Sequence, residues 1–257
     1  MTFIKDSHMH TSYSPDADPT VTFQDYVDEA RKKGITHLVF TDHVDLDAGH
    51  PTFQIPPIDY DAYIDAFNKV KTNTKDITMT LGVEMGYQTH MKEEINAFLN
   101  RYPFEFVILS IHYVNKQDLY THEFYDDKTI KEAHTMYFKA CLDAVKSVDK
   151  FNVFGHLDYF TRYITKKDYD IDDYQPLLDT ILNTLIEKNK GIEINTSGFR
   201  YEDRIYPKFD LVKRFVELGG RIITIGSDAH TSKDLASNFN KVYDLLPTNI
   251  KQIIKNT

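Results

Sequence analysis

The feature that most constrains the fold is an alternation of short apolar runs with helical stretches. Seven runs rich in β-branched and aromatic residues are separated by amphipathic segments of helical period. The pattern predicts strands at residues 3–10, 36–42, 77–84, 105–112, 152–156, 191–195 and 221–226. Helices are predicted at 22–33, 60–72, 91–101, from residue 129 to about 150, at 174–189 and at 209–218, before short closing helices. Buried strands that alternate with helices form parallel sheets covered by helices, so we expect an α/β fold.

Side chains that can bind metals stand at the ends of these predicted strands. His8 and His10 lie two residues apart, so the period of a strand places both on one face, and Asp16 follows shortly after. Because the carboxyl ends of parallel strands meet at one rim of a barrel, residues distant in sequence should converge there. The later strand ends carry Asp42 with His43, Glu84, His112, His156, Asn195, and Asp228 with His230.

The types of side chain at these positions limit which metals could bind. Six imidazoles with Glu84, Asp228 and Asp16 offer nitrogen and oxygen without thiolate, which suits zinc, manganese or iron and disfavours calcium, magnesium or an iron–sulfur cluster. Nine side chains are too many for one ion. They fit two or three ions if a carboxylate such as Glu84 bridges, and clustered ions can clamp a phosphoryl group and activate water.

The other histidines are expected to have ordinary roles. His37 starts its strand, at the opposite rim, and the rest fall in loops or helices. Two of them could fold over the rim and touch metal or substrate, because they lie in excursions that leave it. The loop and helix histidines are His50, His90, His122 and His134, of which His90 and His122 are these two.

Composition excludes several classes of function. The formal charge of −9 argues against broad contact with nucleic acid or an anionic membrane, whereas a small phosphorylated substrate stays possible because bound cations reverse the local field. Cys141 is the only cysteine, so no intrachain disulfide forms. The chain has neither a long apolar run nor a signal-peptide pattern, which predicts a cytoplasmic protein. No linker divides it, so residues 1–257 are expected to form a single domain, of unpredicted oligomeric state.

Several short motifs resemble those of the PHP (polymerase and histidinol phosphatase) family, and within it the stand-alone histidinol-phosphate phosphatases. They occur in family order and span nearly the whole chain. The matching stretches are His8-Met9-His10-Thr11 with Asp16, Thr41-Asp42-His43, Gly82-Val83-Glu84, Ser110-Ile111-His112, Gly155-His156-Leu157-Asp158, Glu193-Ile194-Asn195 and Gly226-Ser227-Asp228-Ala229-His230.

The resemblance implies a distorted (β/α)7 barrel, similar to a TIM barrel, with up to three divalent or trivalent metal ions. By position, one ion would take His8, His10, Glu84 and Asp228, a second Glu84, His112 and His156, and a third Asp16, His43 and His230. Many members of the family have a histidine where this chain has Asp16, which would alter the affinity or identity of the third ion.

The resemblance also implies hydrolysis of L-histidinol phosphate in histidine biosynthesis, by attack of a metal-bridging hydroxide on phosphorus. Arg162 and Arg200 follow the fifth and sixth strands and are the candidates to hold the phosphate, since a guanidinium pairs two oxygens at once. Asp42 would protonate the leaving alkoxide or orient a ligand histidine, an ambiguity that Asp158 shares. Asn195 would donate a hydrogen bond to substrate.

Two other functions fit the same motifs. A PHP phosphoesterase that acts on a nucleotide bisphosphate or on protein phosphotyrosine would share every metal ligand. A non-catalytic, metal-stabilised module is the third possibility, although the ligand set is complete and no polymerase region is attached.

Overall fold

One parallel sheet of eight strands forms the centre of the molecule in a computed structural model, which describes residues 4–50, 53–54, 58–164 and 169–257. Each strand pairs in parallel with its neighbour. The strands are β1 (Lys5–Asp6), β2 (His37–Phe40), β3 (His43–Asp45), β4 (Thr78–Gly86), β5 (Phe106–Ser110), β6 (Val153–Phe154), β7 (Gly191–Asn195) and β8 (Ile223–Gly226).

The sheet closes into a distorted barrel with seven positions. The strand order is β1-β2-β4-β5-β6-β7-β8, and β3 continues the position of β2 because both pair with β4. The first and last strands meet through isolated hydrogen bonds: Ser7 N donates to Ile225 O at 3.0 Å, and Asp228 N donates to His8 O at 2.8 Å. The chain therefore folds as a distorted (β/α)7 barrel, as the resemblance implied.

Helices follow the strands and cover the outside of the barrel, where their apolar faces meet the outward side chains of the strands. Short ribbons (Gly49–His50 with Phe53–Gln54, and Tyr113–Val114 with Gln117–Asp118) lie outside the main sheet. The α-helices are α1 (Phe23–Lys33), α2 (Tyr60–Asn73), α3 (Lys92–Arg101), α4 (Ile130–Ser147), α5 (Gln175–Glu187), α6 (Gly198–Tyr201), α7 (Phe209–Glu217), α8 (Phe239–Leu245) and α9 (Thr248–Asn256). None of the helices described is long and apolar enough to cross a membrane.

Local sequence signals fix the helix ends. Thr22 caps α1 and forms a capping box with Asp25, and Gly34 ends the helix in the left-handed conformation that glycine adopts without strain. Thr129 and Glu132 form the same box at the start of α4. These helices accordingly begin where their capping residues predict.

Alternation along each strand divides the side chains between the helices and the barrel interior. In β4, Val83 and Met85 join the main hydrophobic core, whereas Glu84 between them faces the interior. Val39 and Ile108 belong to a separate small apolar cluster. The interior thus holds apolar side chains as well as the buried polar ones that form the site described below.

The predicted strands and helices are present, most of them with bounds shifted by one or two residues, and two strands differ more. Residue 3 lies outside the described part of the chain, and β1 is only Lys5–Asp6, because residues 7–10 contact β8 through single hydrogen bonds rather than a ladder. The strand predicted at 36–42 ends at Phe40 and resumes as β3 at His43. The backbone of Asp42 still pairs with β4, since Glu84 N donates to Asp42 O at 3.1 Å.

Candidate metal centre

The nine predicted ligands converge at the carboxyl end of the barrel. Four overlapping groups of three residues each have ligand atoms within 4.8 Å of one another. The groups are His8-His10-Glu84, Glu84-His112-His156, His10-His43-His230 and His43-Asp45-His112.

The first cluster lies deepest in the barrel and combines two imidazoles with two carboxylates. His8 Nε2 is 3.0 Å from His10 Nε2 and 3.2 Å from Glu84 Oε2. Asp228 Oδ1 lies 3.3 Å from His10 Nε2. Both imidazoles are fully buried. Four donor atoms therefore face one small volume, as expected for the first ion.

The second cluster uses the other oxygen of the same glutamate. Glu84 Oε1 is 2.8 Å from His156 Nε2 and 3.2 Å from His112 Nε2, and it accepts a hydrogen bond from Ser110 Oγ at 2.8 Å. Burial opposes charge on His112, yet Asp45 and Glu84 raise the pKa of its imidazole to about 10. Glu84 has one oxygen in each cluster, which is the geometry of a bridging ligand.

The third cluster is closer to solvent. Asp16 Oδ2 lies 3.1 Å from His230 Nε2 and 3.5 Å from His43 Nε2. The His10 ring lies 4.3 Å from each of those two rings, so this cluster borders the first. Although burial opposes ionisation of Asp16, the two imidazoles hold its pKa well below the usual value. The third cluster thus combines one carboxylate with two imidazoles.

The electrostatics of the first cluster are those of a charged, buried site. Burial disfavours charge on the His8 imidazole, but the carboxylates of Glu193, Glu84 and Asp228 outweigh it and raise the pKa of His8 well above its usual value. Burial and the neighbouring imidazoles lower the pKa of His10 to about 3. Opposite charges of imidazoles and carboxylates therefore compensate one another in this cluster.

The residues present fit a multinuclear centre of zinc, manganese or iron. Their donors are imidazole nitrogens and carboxylate oxygens, the set that these metals prefer. Metal binding would have to displace protons from imidazoles such as His112, as it does wherever ligands bind in deprotonated form.

Asp42 hydrogen-bonds to the segment that follows His10. Its Oδ1 accepts hydrogen bonds from Thr11 N at 2.7 Å and Ser14 Oγ at 2.8 Å, and Oδ2 accepts from Thr11 Oγ1 at 3.0 Å. Ser14 Oγ lies 3.0 Å from His10 Nδ1. Burial raises the pKa of the Asp42 carboxyl, but its position favours the predicted role of orienting a ligand histidine over that of a proton donor. The orientation passes through Ser14, which was not predicted.

Arg200 is held by the loop that carries Asp228. Its Nη1 and Nη2 donate to the carbonyl oxygens of Ser227 and Asp228 at 2.8 and 2.6 Å. Nη1 also donates to Ser237 Oγ at 2.9 Å, whereas Nε has no hydrogen-bond acceptor among the described residues. Arg200 is thus oriented by two backbone carbonyls and by Ser237, and its Nε–H remains as a donor for a ligand.

Arg162 lies in an aromatic setting beside the same region. Its Cζ is 3.5 Å from the ring centroid of Tyr201, and within 6 Å of those of Tyr159 and Tyr163. The Tyr201 ring is also 6.0 Å from Arg200 Cζ. Within the described part of the chain, Arg162 forms no ion pair, so its charge is available for an anion.

Asn195, which was predicted to contact substrate, has its observed hydrogen bonds within the protein. Its side chain is fully buried, and Oδ1 accepts hydrogen bonds from Ser197 N and Ser197 Oγ at 2.9 and 2.6 Å. Nδ2 donates to Glu193 Oε2 at 3.3 Å. Its amide thus contacts the turn after β7 and a neighbouring carboxylate, and its contact with substrate stays a prediction.

Asp158 also has a structural environment. It is fully buried, and its Oδ2 accepts hydrogen bonds from Arg204 Nη2 at 2.8 Å, Lys208 N at 2.9 Å and Tyr169 OH at 3.1 Å. These contacts tie the loop after β6 to the segment before α7, rather than to a ligand histidine.

Two carboxylates near the ligands were not predicted to have a role. Asp45 Oδ1 accepts a hydrogen bond from His112 Nδ1 at 2.9 Å, and Glu193 Oε1 does so from His8 Nδ1 at 2.6 Å. The period of two along β7 was a signal for Glu193, because it shares the inward face of that strand. Asp45 had no such signal, since the strand that carries it was not predicted.

The remaining histidines lie outside the three clusters, as expected where they are described. The side chain of His50 is outside the described part of the structure. The others have their own neighbours: His37 Nε2 and Thr80 Oγ1 at 2.8 Å, His90 Nε2 and Asp47 Oδ2 at 2.7 Å, His134 Nδ1 and Tyr174 OH at 3.1 Å, and His122 and Tyr163 with ring centroids 6.1 Å apart.

Comparison with known proteins matches this architecture. A family model, the PHP domain, matches residues 6–197. The histidinol-phosphatase of Lactococcus lactis is 36% identical over 89% of this chain and 84% of its own length. A Clostridium acetobutylicum protein named "Probable histidinol-phosphatase" is 32% identical over 91% of this chain and 89% of its own.

A solved structure is similar over nearly the whole length. The histidinol phosphate phosphatase of Lactococcus lactis, in complex with zinc, L-histidinol and phosphate, is 34% identical. The superposition covers 97% of this chain and 93% of the Lactococcus lactis chain, with a TM-score of 0.84. The match of the family model over most of the barrel, together with these relatives, shows that the chain belongs to the PHP domain family.

Proposed function

We propose that the chain is a metal-dependent phosphatase that hydrolyses L-histidinol phosphate to L-histidinol and phosphate. The observation that carries the proposal is the position of Glu84, which places one carboxylate oxygen in each of two imidazole clusters. The similar Lactococcus lactis phosphatase, whose structure contains zinc, L-histidinol and phosphate, supports the choice of substrate.

The three clusters would hold two or three ions of zinc, manganese or iron. Such ions supply a water nucleophile at neutral pH and neutralise the charge that builds up on phosphoryl oxygens. The ligands are proposed as predicted: His8, His10, Glu84 and Asp228 for the first ion, with Glu84 shared by His112 and His156 for the second. Asp16, His43 and His230 would hold the third.

The two arginines would bind the phosphate. A guanidinium forms strong hydrogen bonds with phosphoryl oxygens, and Arg200 keeps its Nε–H for such a bond while backbone carbonyls and Ser237 hold its Nη atoms. Arg162 packs on Tyr201 and adds a second positive charge nearby. Together they would orient the ester and stabilise negative charge in the transition state.

Aromatic side chains beside the second cluster fit an imidazole ring in the substrate. The Tyr159 ring centroid is 4.5 Å from that of His156, and Tyr163 and Tyr120 extend this surface, with centroid distances of 5.3 Å between Tyr159 and Tyr163 and 5.7 Å between Tyr163 and Tyr120. An imidazole or imidazolium stacks on such rings. This aromatic surface supports a small aromatic metabolite as the substrate.

Phosphate release by protein of measured metal content tests the proposal. We expect a higher kcat/KM for L-histidinol phosphate than for a nucleotide bisphosphate or a phosphotyrosine peptide, and loss of activity when a chelator removes the metal. A preference for either alternative substrate would refute the substrate assignment. A metal-loaded sample without hydrolysis of any phosphomonoester would instead favour the non-catalytic module. The cytoplasmic location and the lack of nucleic-acid or membrane partners stay predictions.

A further inference from the structure

Glu193 is a buried carboxylate that contacts two strand-end histidines assigned to different ions. Its Oε1 lies 2.6 Å from His8 Nδ1, and its Oε2 accepts a hydrogen bond from His156 N at 3.1 Å. The residue is fully buried on the inward face of β7. It therefore lies beneath both the first and the second cluster.

The neighbouring strands leave room for this carboxylate. A Cβ atom on Gly226 would lie 2.4 Å from Glu193 Oε1 and 2.4 Å from His8 Cβ, both far closer than van der Waals contact. A Cβ atom on Gly155 would lie 3.5 Å from Glu193 Oε2. Glycine at position 226 thus permits the close approach of Glu193 and His8.

The contact with His8 selects one tautomer of its imidazole. A carboxylate at Nδ1 holds the proton on that nitrogen and leaves the lone pair of Nε2 for a metal. That Nε2 is the atom that faces His10 Nε2 at 3.0 Å and Glu84 Oε2 at 3.2 Å. Glu193 therefore presents His8 in the form that the first ion needs.

The contact with His156 acts on the backbone. His156 has a φ of 21°, a region that residues other than glycine rarely adopt. The hydrogen bond from its N–H to Glu193 helps to hold that conformation, and His156 Nε2 then lies 2.8 Å from Glu84 Oε1.

We propose that Glu193 is a positioning residue that orients the ligands of two metal ions at once, through the His8 ring and the His156 backbone. The proposal deepens the function proposed above and rests on its metal centre. It assigns no contact between Glu193 and substrate or metal.

Glu193→Gln separates this role from simple packing, because an amide has nearly the same shape but only one acceptor. If its oxygen accepts from His156 N, its NH2 faces His8 Nδ1 and favours the tautomer that blocks Nε2. If the amide is flipped, its NH2 group faces the backbone N–H of His156, and two donors then face each other. Either arrangement loses one of the two interactions.

The test is zinc titration of metal-free protein against a chromophoric chelator. We expect Glu193→Gln to lower the zinc affinity of the two sites that share Glu84 by about 10–100-fold, which is the usual effect of removing a residue that orients a ligand. The affinity of the site at Asp16 should not change. The matched control is Asp158→Asn, another fully buried carboxylate, which is paired with Arg204 and should lower Tm without changing zinc affinity.

Unchanged zinc affinity in folded Glu193→Gln, whatever its Tm, would overturn the proposal. If wild-type protein bound no zinc, the metal centre itself would fail, which is a separate result. A measurement that needs no variant is ¹⁵N NMR of the histidine rings in zinc-loaded wild type: Nδ1 of His8 should carry the proton, and coordination through Nδ1 would refute the role of Glu193.

Discussion

Glu84 should be the side chain whose charge matters most to the metal centre. Its carboxylate lies within 3.2 Å of an imidazole nitrogen of His8, His43, His112 and His156. Burial opposes its ionisation, but the surrounding imidazoles hold the pKa of Glu84 well below the usual value. A permanent negative charge therefore lies between the first and second clusters.

Glu84→Gln removes this charge and keeps the volume. Breaking a buried ionic interaction by neutralising one partner costs about 3–5 kcal/mol, and each 1.4 kcal/mol is about tenfold in affinity. We therefore expect zinc at the two ions that share Glu84 to bind at least about 100-fold more weakly.

Zinc content after gel filtration, with competition against a chelator, measures the effect. The variant should keep one ion or none, whereas wild type keeps two or three. Glu105→Gln is the control, because Glu105 is an exposed residue next to the amino end of β5 that pairs with Lys71. Equal zinc content and affinity in Glu84→Gln and wild type would refute the bridging assignment.

Three further perturbations test other parts of the structure. Arg162→Gln should lower kcat/KM by about 10–100-fold at unchanged metal content, as expected for loss of a charged hydrogen bond, and unaltered kinetics would remove Arg162 from the site. Asp45→Asn should weaken binding of the ion held by His112, by about tenfold in a zinc titration, since His112 Nδ1 loses a charged acceptor; equal affinity would contradict this. Burial, with a smaller effect of Lys5, lowers the pKa of His37 to about 4, so stability should fall as pH drops from about 6.5 to 4, where the unfolded chain binds the proton more readily. Over this pH range, the free energy of unfolding measured in urea should fall by about 1–2 kcal/mol less in His37→Gln than in wild type, after allowance for partial exposure of the imidazole. An identical pH dependence in the two proteins would contradict this prediction.

Much of the barrel was predictable because each strand is a short apolar run between clear helix signals. The bounds of β7 match the prediction, and α1 begins one residue after its predicted start and ends at its predicted last residue, Lys33. By contrast, β3 was not predicted, because three residues with two polar side chains carry no strand pattern. Its pairing with β4 depends on tertiary contacts that the local sequence does not encode.

The convergence of the ligands was predictable for a similar reason, since strand ends in a parallel barrel share one rim. What each polar residue contacts beneath that rim was not. Asn195 and Glu193 lie two residues apart on the same strand, yet the amide of Asn195 hydrogen-bonds to a turn, whereas the carboxylate of Glu193 hydrogen-bonds to a histidine. Such choices depend on distances of a few tenths of an ångström between neighbouring strands.

An anomalous difference map at the zinc edge, from crystals grown with zinc, tests the central claim most directly. We predict two or three peaks at the carboxyl end of the barrel, with the two that contact Glu84 about 3.5–4 Å apart. Zinc only at surface sites, with the His8, His112 and His230 imidazoles away from any peak, would contradict the account.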